Sequence, residues 1–341
     1  MKHKKIVFII LAIVSIGICG AVSAYTLLFN RPLNITEPTF LYIDENDNID
    51  SVYTKLEKKF HASSLFGFRI LTHYSKYHKN IHTGAYLFSD NERTWDIFHR
   101  LRTGHQTPVT LTIPSVRTVG QLLKTVSRQL MLDSASIAKL LNDSAYCSNL
   151  GYNHYTIPAL FIPNTYEVYW NISPQSFIAR MQKEHNRFWN NSRKTKARQL
   201  GLTPIEVSTL ASIVDEETAN DSEKPIIAGL YLNRLRIDMP LQADPTIKFG
   251  LQQFGLQRIL HKHLNIDTPY NTYKHTGLPP GPIRIPSIKG MESVLNYTQH
   301  SYLYMCAKED LSGTHNFSST LREHQNNARR YQNALNKLKI K

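Results

Sequence analysis

The chain has 341 residues, with 40 lysines and arginines against 26 aspartates and glutamates and a formal net charge of +14. With 41% hydrophobic and 19% charged residues and no long low-complexity tract, it has the composition of a folded protein with room for about two domains. The basic balance suits an anionic surrounding, but the charge is spread along the chain with no basic and aromatic cluster or reader motif, which argues against nucleic acid. The three cysteines, Cys19, Cys147 and Cys306, form no CxxC or Cys/His ligand spacing and the fifteen histidines are scattered, so no metal site is expected.

In chain order, the first feature is an almost uninterrupted apolar run from Ile6 to Phe29, preceded by Met1-Lys2-His3-Lys4-Lys5. A run of about 20 such residues spans a bilayer, and the cationic flank predicts an N-terminus in the cytoplasm with the rest outside. Ala21-Val22-Ser23-Ala24 resembles a signal-peptide cleavage site, but the run is long for a signal sequence, which favours a retained anchor. Either way the bulk of the chain is expected outside the cytoplasm, which disfavours nucleotide-dependent chemistry.

A weak internal repeat follows. Thr39–Ile43 reads as a strand before a helix over residues 49–58. Gly84–Phe88 reads as a strand, with Ser89-Asp90-Asn91 as a cap and a helix over 92–101. Val109–Ile113 is a third strand, before a helix over 119–130. Small strand-helix units of this kind resemble LysM-type modules, which bind glycan chains; a generic small α+β domain fits the pattern as well. Further helices are expected over 133–149 and, long and basic, over 173–196, with Phe161-Ile-Pro-Asn-Thr-Tyr-Glu-Val168 between them.

Thr203 with Glu206 has capping-box spacing and Pro204 suits the first helical position, so a helix is expected to start there and to end in Asp215-Glu216-Glu217. Successive helical residues point about 100° apart, so the three acids cannot share a face. Val207, Leu210, Ile213 and Val214 define an apolar stripe that Glu217 continues, whereas Asp215 and Glu216 fall to either side, as solvent-facing or supporting groups. Glu217 is therefore the acid carried into an apolar environment, where desolvation raises a carboxyl toward the range of a general acid. Downstream lie a helix around Ala228–Leu235, the polar segments Gln242-Ala243-Asp244 and Tyr270-Asn271-Thr272-Tyr273, and Leu278-Pro279-Pro280-Gly281-Pro282, a rigid loop suited to the wall of a groove.

The segments ASIVDEET, IAGLYLNRLRIDMPLQADPTIKFG, YNTYKHTGLPPGPI and HNFSSTLREHQ, in this order, closely resemble the MltG/YceG-like endolytic murein transglycosylases. The resemblance covers roughly residues 37–338. It implies an α+β fold: a membrane helix with the N-terminus in the cytoplasm (1–30), a LysM-like glycan-binding module (31–131) and a catalytic domain with a substrate groove (132–341). It places the catalytic acid at Glu217, with Asp215 where the family usually has Glu and Asn164 where it often has Asp. The implied activity is cleavage of the β-1,4 bond between N-acetylmuramic acid and N-acetylglucosamine, leaving 1,6-anhydro ends and needing no metal or organic cofactor. Asn271, Tyr273, Gln242, Asp244, Arg234 and His315 are candidate substrate-binding residues, each with a structural role as the alternative. The implied setting is the bacterial cytoplasmic membrane, single-pass, with glycan strands as substrate and peptidoglycan synthases as partners. Two alternatives stay open: a hydrolase pairing Glu217 with Glu167, Asp215 or Asp244, and a noncatalytic wall-binding scaffold.

Overall fold

The computed structural model describes residues 2–30, 35, 37–60, 65–90, 92–256 and 258–337. The chain divides into two compact units, the first comprising residues 1–111, 129–131 and 167–172, and the second residues 112–128, 132–166 and 173–341. Residues 112–128, expected with the N-terminal module, thus belong to the second unit.

The first unit begins with helix α1 (Lys2–Phe29), which over Lys4–Phe29 is the one helix among the described residues long and apolar enough to cross a membrane. Strands β1 (Thr39–Ile43) and β2 (Gly84–Phe88) pair antiparallel, Thr39 opposite Phe88 and Ile43 opposite Gly84. Alternation along β1 turns Leu41 and Ile43 inward and Tyr42 outward. They pack on helices α2 (Ile49–Phe60), α3 (Phe66–Tyr74) and α4 (Thr94–Thr103) through Val52, Leu56, Phe68, Ile97 and Leu101. Helix α3 was not expected: it starts at Leu65 with no side-chain cap, so the usual N-terminal signal is missing. Helix α4 starts two residues later than expected because Glu92 is drawn away to Arg100, 3.2 Å, and to the Ser89 amide, 3.2 Å. Of the expected cap, Asn91 lies outside the described residues, and Arg93 holds the cap position without a side-chain bond.

The third strand of the repeat, β3 (Val109–Ile113), pairs not with β1 or β2 but with β4 (Asn164–Val168). Helix α5 (Val119–Gln129) follows β3. The expected helix over 133–149 is two, α6 (Ser134–Asn142) and α7 (Ser144–Asn149), because Asp133 and Asp143 each cap a helix start with their carboxylates. The expected helix over 173–196 is also two, α8 (Pro174–Phe188) and α9 (Asn191–Gln199). Trp189 is buried at the break and the Asn190 side chain accepts the Arg193 amide, restarting the helix.

Helix α10 (Pro204–Glu217) is the axis of the second unit. Its capping box forms as the spacing requires: Glu206 N donates to Thr203 Oγ1 at 3.2 Å, and Thr203 N donates to the Glu206 carboxylate at 2.7 Å. The remaining elements are α11 (Lys224–Arg236), α12 (Asp244–Gly250), α13 (His261–Leu264), α14 (Ile288–Leu295), the antiparallel hairpin β5 (Tyr304–Ala307) and β6 (His315–Ser318), and α15 (Leu321–Lys337). Helices α10, α11 and α14 share one core with Leu210, Ile213, Ile227, Tyr231 and Met291. Every residue from Val207 to Val214 is buried, so α10 has no polar face. Ser208, Thr209 and Ser212 tolerate this by bonding back to the carbonyls of Pro204, Ile205 and Thr209.

Candidate active site

With α10 enclosed on all sides, the apolar stripe does not by itself single out Glu217, and the three acids at its end have three different fates. Asp215 is enclosed rather than solvated. Lys224 Nζ approaches its carboxylate at 3.0 Å, and Ser287 donates to it through N, 2.7 Å, and Oγ, 2.8 Å, at the start of α14. Glu216 is held by Arg117 and Arg284, each at 3.0 Å. Both are ties that fix the end of α10 against neighbouring segments. Glu217 alone lacks a cationic partner at hydrogen-bond distance among the described residues, and faces a cavity.

That cavity, about 310 Å³, is lined by Glu217, Tyr231, Arg234, Gln242, Asp244, Tyr273, Cys306 and His315 among others. The Tyr231 phenol, buried on α11, donates to Glu217 Oε1 at 2.6 Å. Glu217 has its pKa raised from 4.5 to about 7: burial is the main cause and Asp244 adds to it, while the Tyr231 bond, Arg234 and Lys248 oppose it. Tyr231 is pushed well above its ordinary value by burial and by Glu217, so it is fixed as a neutral donor. A carboxyl poised near neutrality can give a proton and take one back, which is what general acid and base chemistry requires.

Five of the six candidate companions share this cavity. Tyr273 donates to Asp244 Oδ1 at 2.5 Å, and burial, then Asp244, raises the phenol so that it too stays a donor. Gln242 sits at φ +47°, a left-handed conformation unusual for a residue with a side chain, held by its N–H on the Thr272 carbonyl, 3.0 Å. Such strain is kept only where surrounding structure fixes it, and it clusters at functional sites. Arg234 lines the cavity but spends Nε on the Leu303 carbonyl, 2.7 Å, and Nη1 on the Leu241 carbonyl, 2.7 Å, bracing the walls. His315 is oriented by Glu223, whose carboxylate accepts its N–H at 2.8 Å and meets Nδ1 at 3.0 Å.

Asn271 is the exception. It is fully buried and absent from the cavity wall; its amide donates to the carbonyls of Leu264 and Ile266, both 2.9 Å, and its Oδ1 accepts the Tyr273 N–H at 3.0 Å. With these bonds it fixes the loop that presents Tyr273. Sequence reasoning passed over Tyr231 and Cys306. Tyr231 lies 14 residues beyond Glu217, and only the antiparallel return of α11 brings it back, a relation with no local signal.

The Leu-Pro-Pro-Gly loop forms a cavity wall, but of a different cavity. Leu278, Pro279 and Pro280 line a space of about 680 Å³ with Leu202, Thr203, Glu206 and Arg236, at the opposite end of α10. Gly281 has no room for a side chain, since a Cβ would run into the Tyr155 carbonyl. Among the alternatives for a second carboxylate, Asp215 is locked to Lys224 and Ser287, and Glu167 belongs to the first unit. Asp244 alone of the three lines the Glu217 cavity. Among the described residues no cluster of three or more His, Cys, Asp or Glu is arranged to hold a metal ion.

The family model described as the YceG-like family matches residues 41–330, and the chain belongs to that family. A Streptococcus pneumoniae (serotype 2) protein named endolytic murein transglycosylase is 28% identical, with 86% of this chain and 58% of that protein covered. A Bacillus subtilis (strain 168) protein of the same name is 35% identical over 164 residues, 48% of this chain and 44% of that protein. The chain therefore spans about half the length of the curated relatives it matches. A crystal structure of a yceG-like protein from Listeria monocytogenes superposes with a TM-score of 0.57 at 27% identity, covering 85% of this chain and 98% of that one.

Proposed function

We propose that this chain is an endolytic peptidoglycan lytic transglycosylase, with Glu217 as its single general acid and base. The observation that carries the reading is a carboxyl held near pKa 7 by burial, hydrogen-bonded to a neutral phenol and open to a polar cavity. The names of the relatives supply the substrate class, murein.

In this reaction protonated Glu217 gives its proton to the glycosidic oxygen as the bond from the muramic C1 breaks, and the N-acetylglucosamine end leaves as an alcohol. The muramic C6 hydroxyl then attacks C1 while the Glu217 carboxylate takes its proton, forming the 1,6-anhydro ring. No water is added, and Glu217 ends as it began. Tyr231 holds one oxygen of the carboxyl and leaves the other for substrate. Tyr273 with Asp244, and His315 with Glu223, are supports for the sugar's polar groups, and Gln242 presents an amide from a fixed backbone.

The first unit, as a LysM-like module, holds the glycan strand. Helix α1 anchors the protein in the cytoplasmic membrane with the catalytic domain outside, where nascent strands and the synthases that make them are within reach.

A second reading is favoured by one observation: Asp244 is another carboxylate on the same cavity, as a two-carboxylate hydrolase would need. Cleavage of purified glycan strands in ¹⁸O-labelled water separates the two. The transglycosylase yields ends lighter by one water and free of ¹⁸O; hydrolysis yields reducing ends that carry it, and would overturn the proposal.

A further inference from the structure

The first unit exposes large aromatic side chains on α3 and α4. Phe66 and Tyr74, at the two ends of α3, are 60% and 83% exposed, and Trp95 on α4 is 43% exposed. Beside them a cleft of about 430 Å³ is lined by Phe29, Ile70, Tyr74, Trp95, Phe98 and Arg102. Large exposed rings gathered in one place on a soluble surface mark a binding face.

Phe29 indicates what covers it, because it is the last residue of α1. Helix α3 meets that end of α1 at Gly67, where a Cβ would run into the Leu28 carbonyl, and Arg93 Nη1 donates to Asn30 Oδ1 at 3.1 Å. The 26 residues of the apolar span make a rod of about 39 Å at ~1.5 Å per residue, longer than the ~30 Å hydrocarbon layer. If α1 crosses a bilayer, its last turn emerges in the headgroup layer, and whatever packs on Leu28 and Phe29 lies at that depth. Tryptophan and tyrosine favour that layer, with the ring in the apolar boundary and the polar atom in water. The charge agrees: residues 65–82 hold Lys76 and Lys79 with no Asp or Glu, Arg69 there being paired with Glu57 at 3.1 Å, and Arg102 is on the cleft itself.

We propose that this face of the first unit docks on the outer surface of the bilayer that α1 crosses. Phe66, Tyr74 and Trp95 sit among the headgroups, the cleft beside Phe29 takes the upper part of an acyl chain, and Arg102 meets the phosphate of an anionic phospholipid. The module is then held against the membrane by contacts of its own as well as by the tether. This rests on the anchor reading of α1, and its test separates the two.

The full chain is reconstituted into vesicles of phosphatidylcholine and phosphatidylglycerol that carry a nitroxide at a shallow acyl position, and tryptophan emission is read against unlabelled vesicles. The expected result is quenching that Trp95→Phe removes by half or more and Trp170→Phe leaves in place, Trp189 being buried. Adding Tyr74→Trp to Trp95→Phe restores it, which keeps the test readable if the single variant packs differently. Retention of the protein on vesicles after an alkaline wash reports on α1. Retention with quenching indifferent to both substitutions overturns the docking face and leaves the anchor; release from the vesicles overturns both.

Discussion

Two cavities among the described residues of the second unit lie at opposite ends of the same helix, and they differ in kind. The one at the N-terminal end of α10 is the larger, about 680 Å³ against about 310 Å³, and is walled mainly by leucines, prolines and glycines. Its nearest carboxylate, Glu206, is occupied in the capping box. The one at the C-terminal end is small and crowded with groups that titrate or donate. Size alone would select the end away from Glu217. The useful signal is convergence: one carboxyl without a cation, a phenol aimed at it, and a strained backbone beside it.

The comparison is broken most severely by Glu217→Gln. Removing the proton donor is expected to lower glycan cleavage by at least ~10³-fold, near the upper range for a general acid and base. The same change should stabilise the fold at alkaline pH. A carboxyl whose folded pKa lies above its unfolded value is favoured when protonated, so its contribution is full below pH 4.5 and lost as pH rises through about 7. At pH 8 the variant should gain up to about 3 kcal/mol over the wild type, and should be indistinguishable at pH 4, as read by denaturant melts.

Next in size is Asp215→Ala. It strips the buried Lys224 of its enclosed partner and the start of α14 of its acceptor, leaving Lys224 only the exposed Asp221. A loss of about 3 kcal/mol in unfolding free energy is expected, with any activity loss following the unfolded fraction. Loss of cleavage in a fully folded Asp215→Ala protein would place Asp215 in the chemistry instead.

Tyr231→Phe is a finer probe. It deletes the bond that favours the Glu217 carboxylate, so the carboxyl should hold its proton to higher pH. The alkaline limb of kcat/KM should move up by about one pH unit while the maximum falls. A downward movement would show that the phenol does not act on Glu217. The smallest effect is expected at the other cavity, where Leu278→Ala should leave cleavage within about twofold. A larger loss of kcat/KM with normal stability would join the two ends of α10 into one substrate path.

Much of this was legible in the sequence because it is local. The capping box at Thr203 and Glu206, the three strands of the N-terminal repeat and the extent of the apolar span follow from spacings within a few residues. Splits at Asp143 and Asn190 were equally local but were hidden by continuous helical periodicity, which outweighed a single capping side chain in each case. What was not legible depends on chain return. Nothing near Glu217 indicates that Tyr231 will reach back to it, or that Lys224 and Ser287 will enclose Asp215. A buried asparagine and a sugar-binding one have the same chemistry, so the sequence does not show that the Leu264 and Ile266 carbonyls take the Asn271 amide. The apolar stripe that points to Glu217 in the sequence is not a separate face in the fold, since α10 is buried all round from Val207 to Val214. The residue stands apart because it comes where that enclosure ends.

The account turns on the protonation state of one side chain, and infrared difference spectra of wild type against Glu217→Gln across pH read it directly. A protonated-carboxyl band present in the wild type, absent in the variant and titrating with a midpoint near 7 is the predicted result. A midpoint near 4.5 would mean an ordinary solvated glutamate and would contradict the assignment.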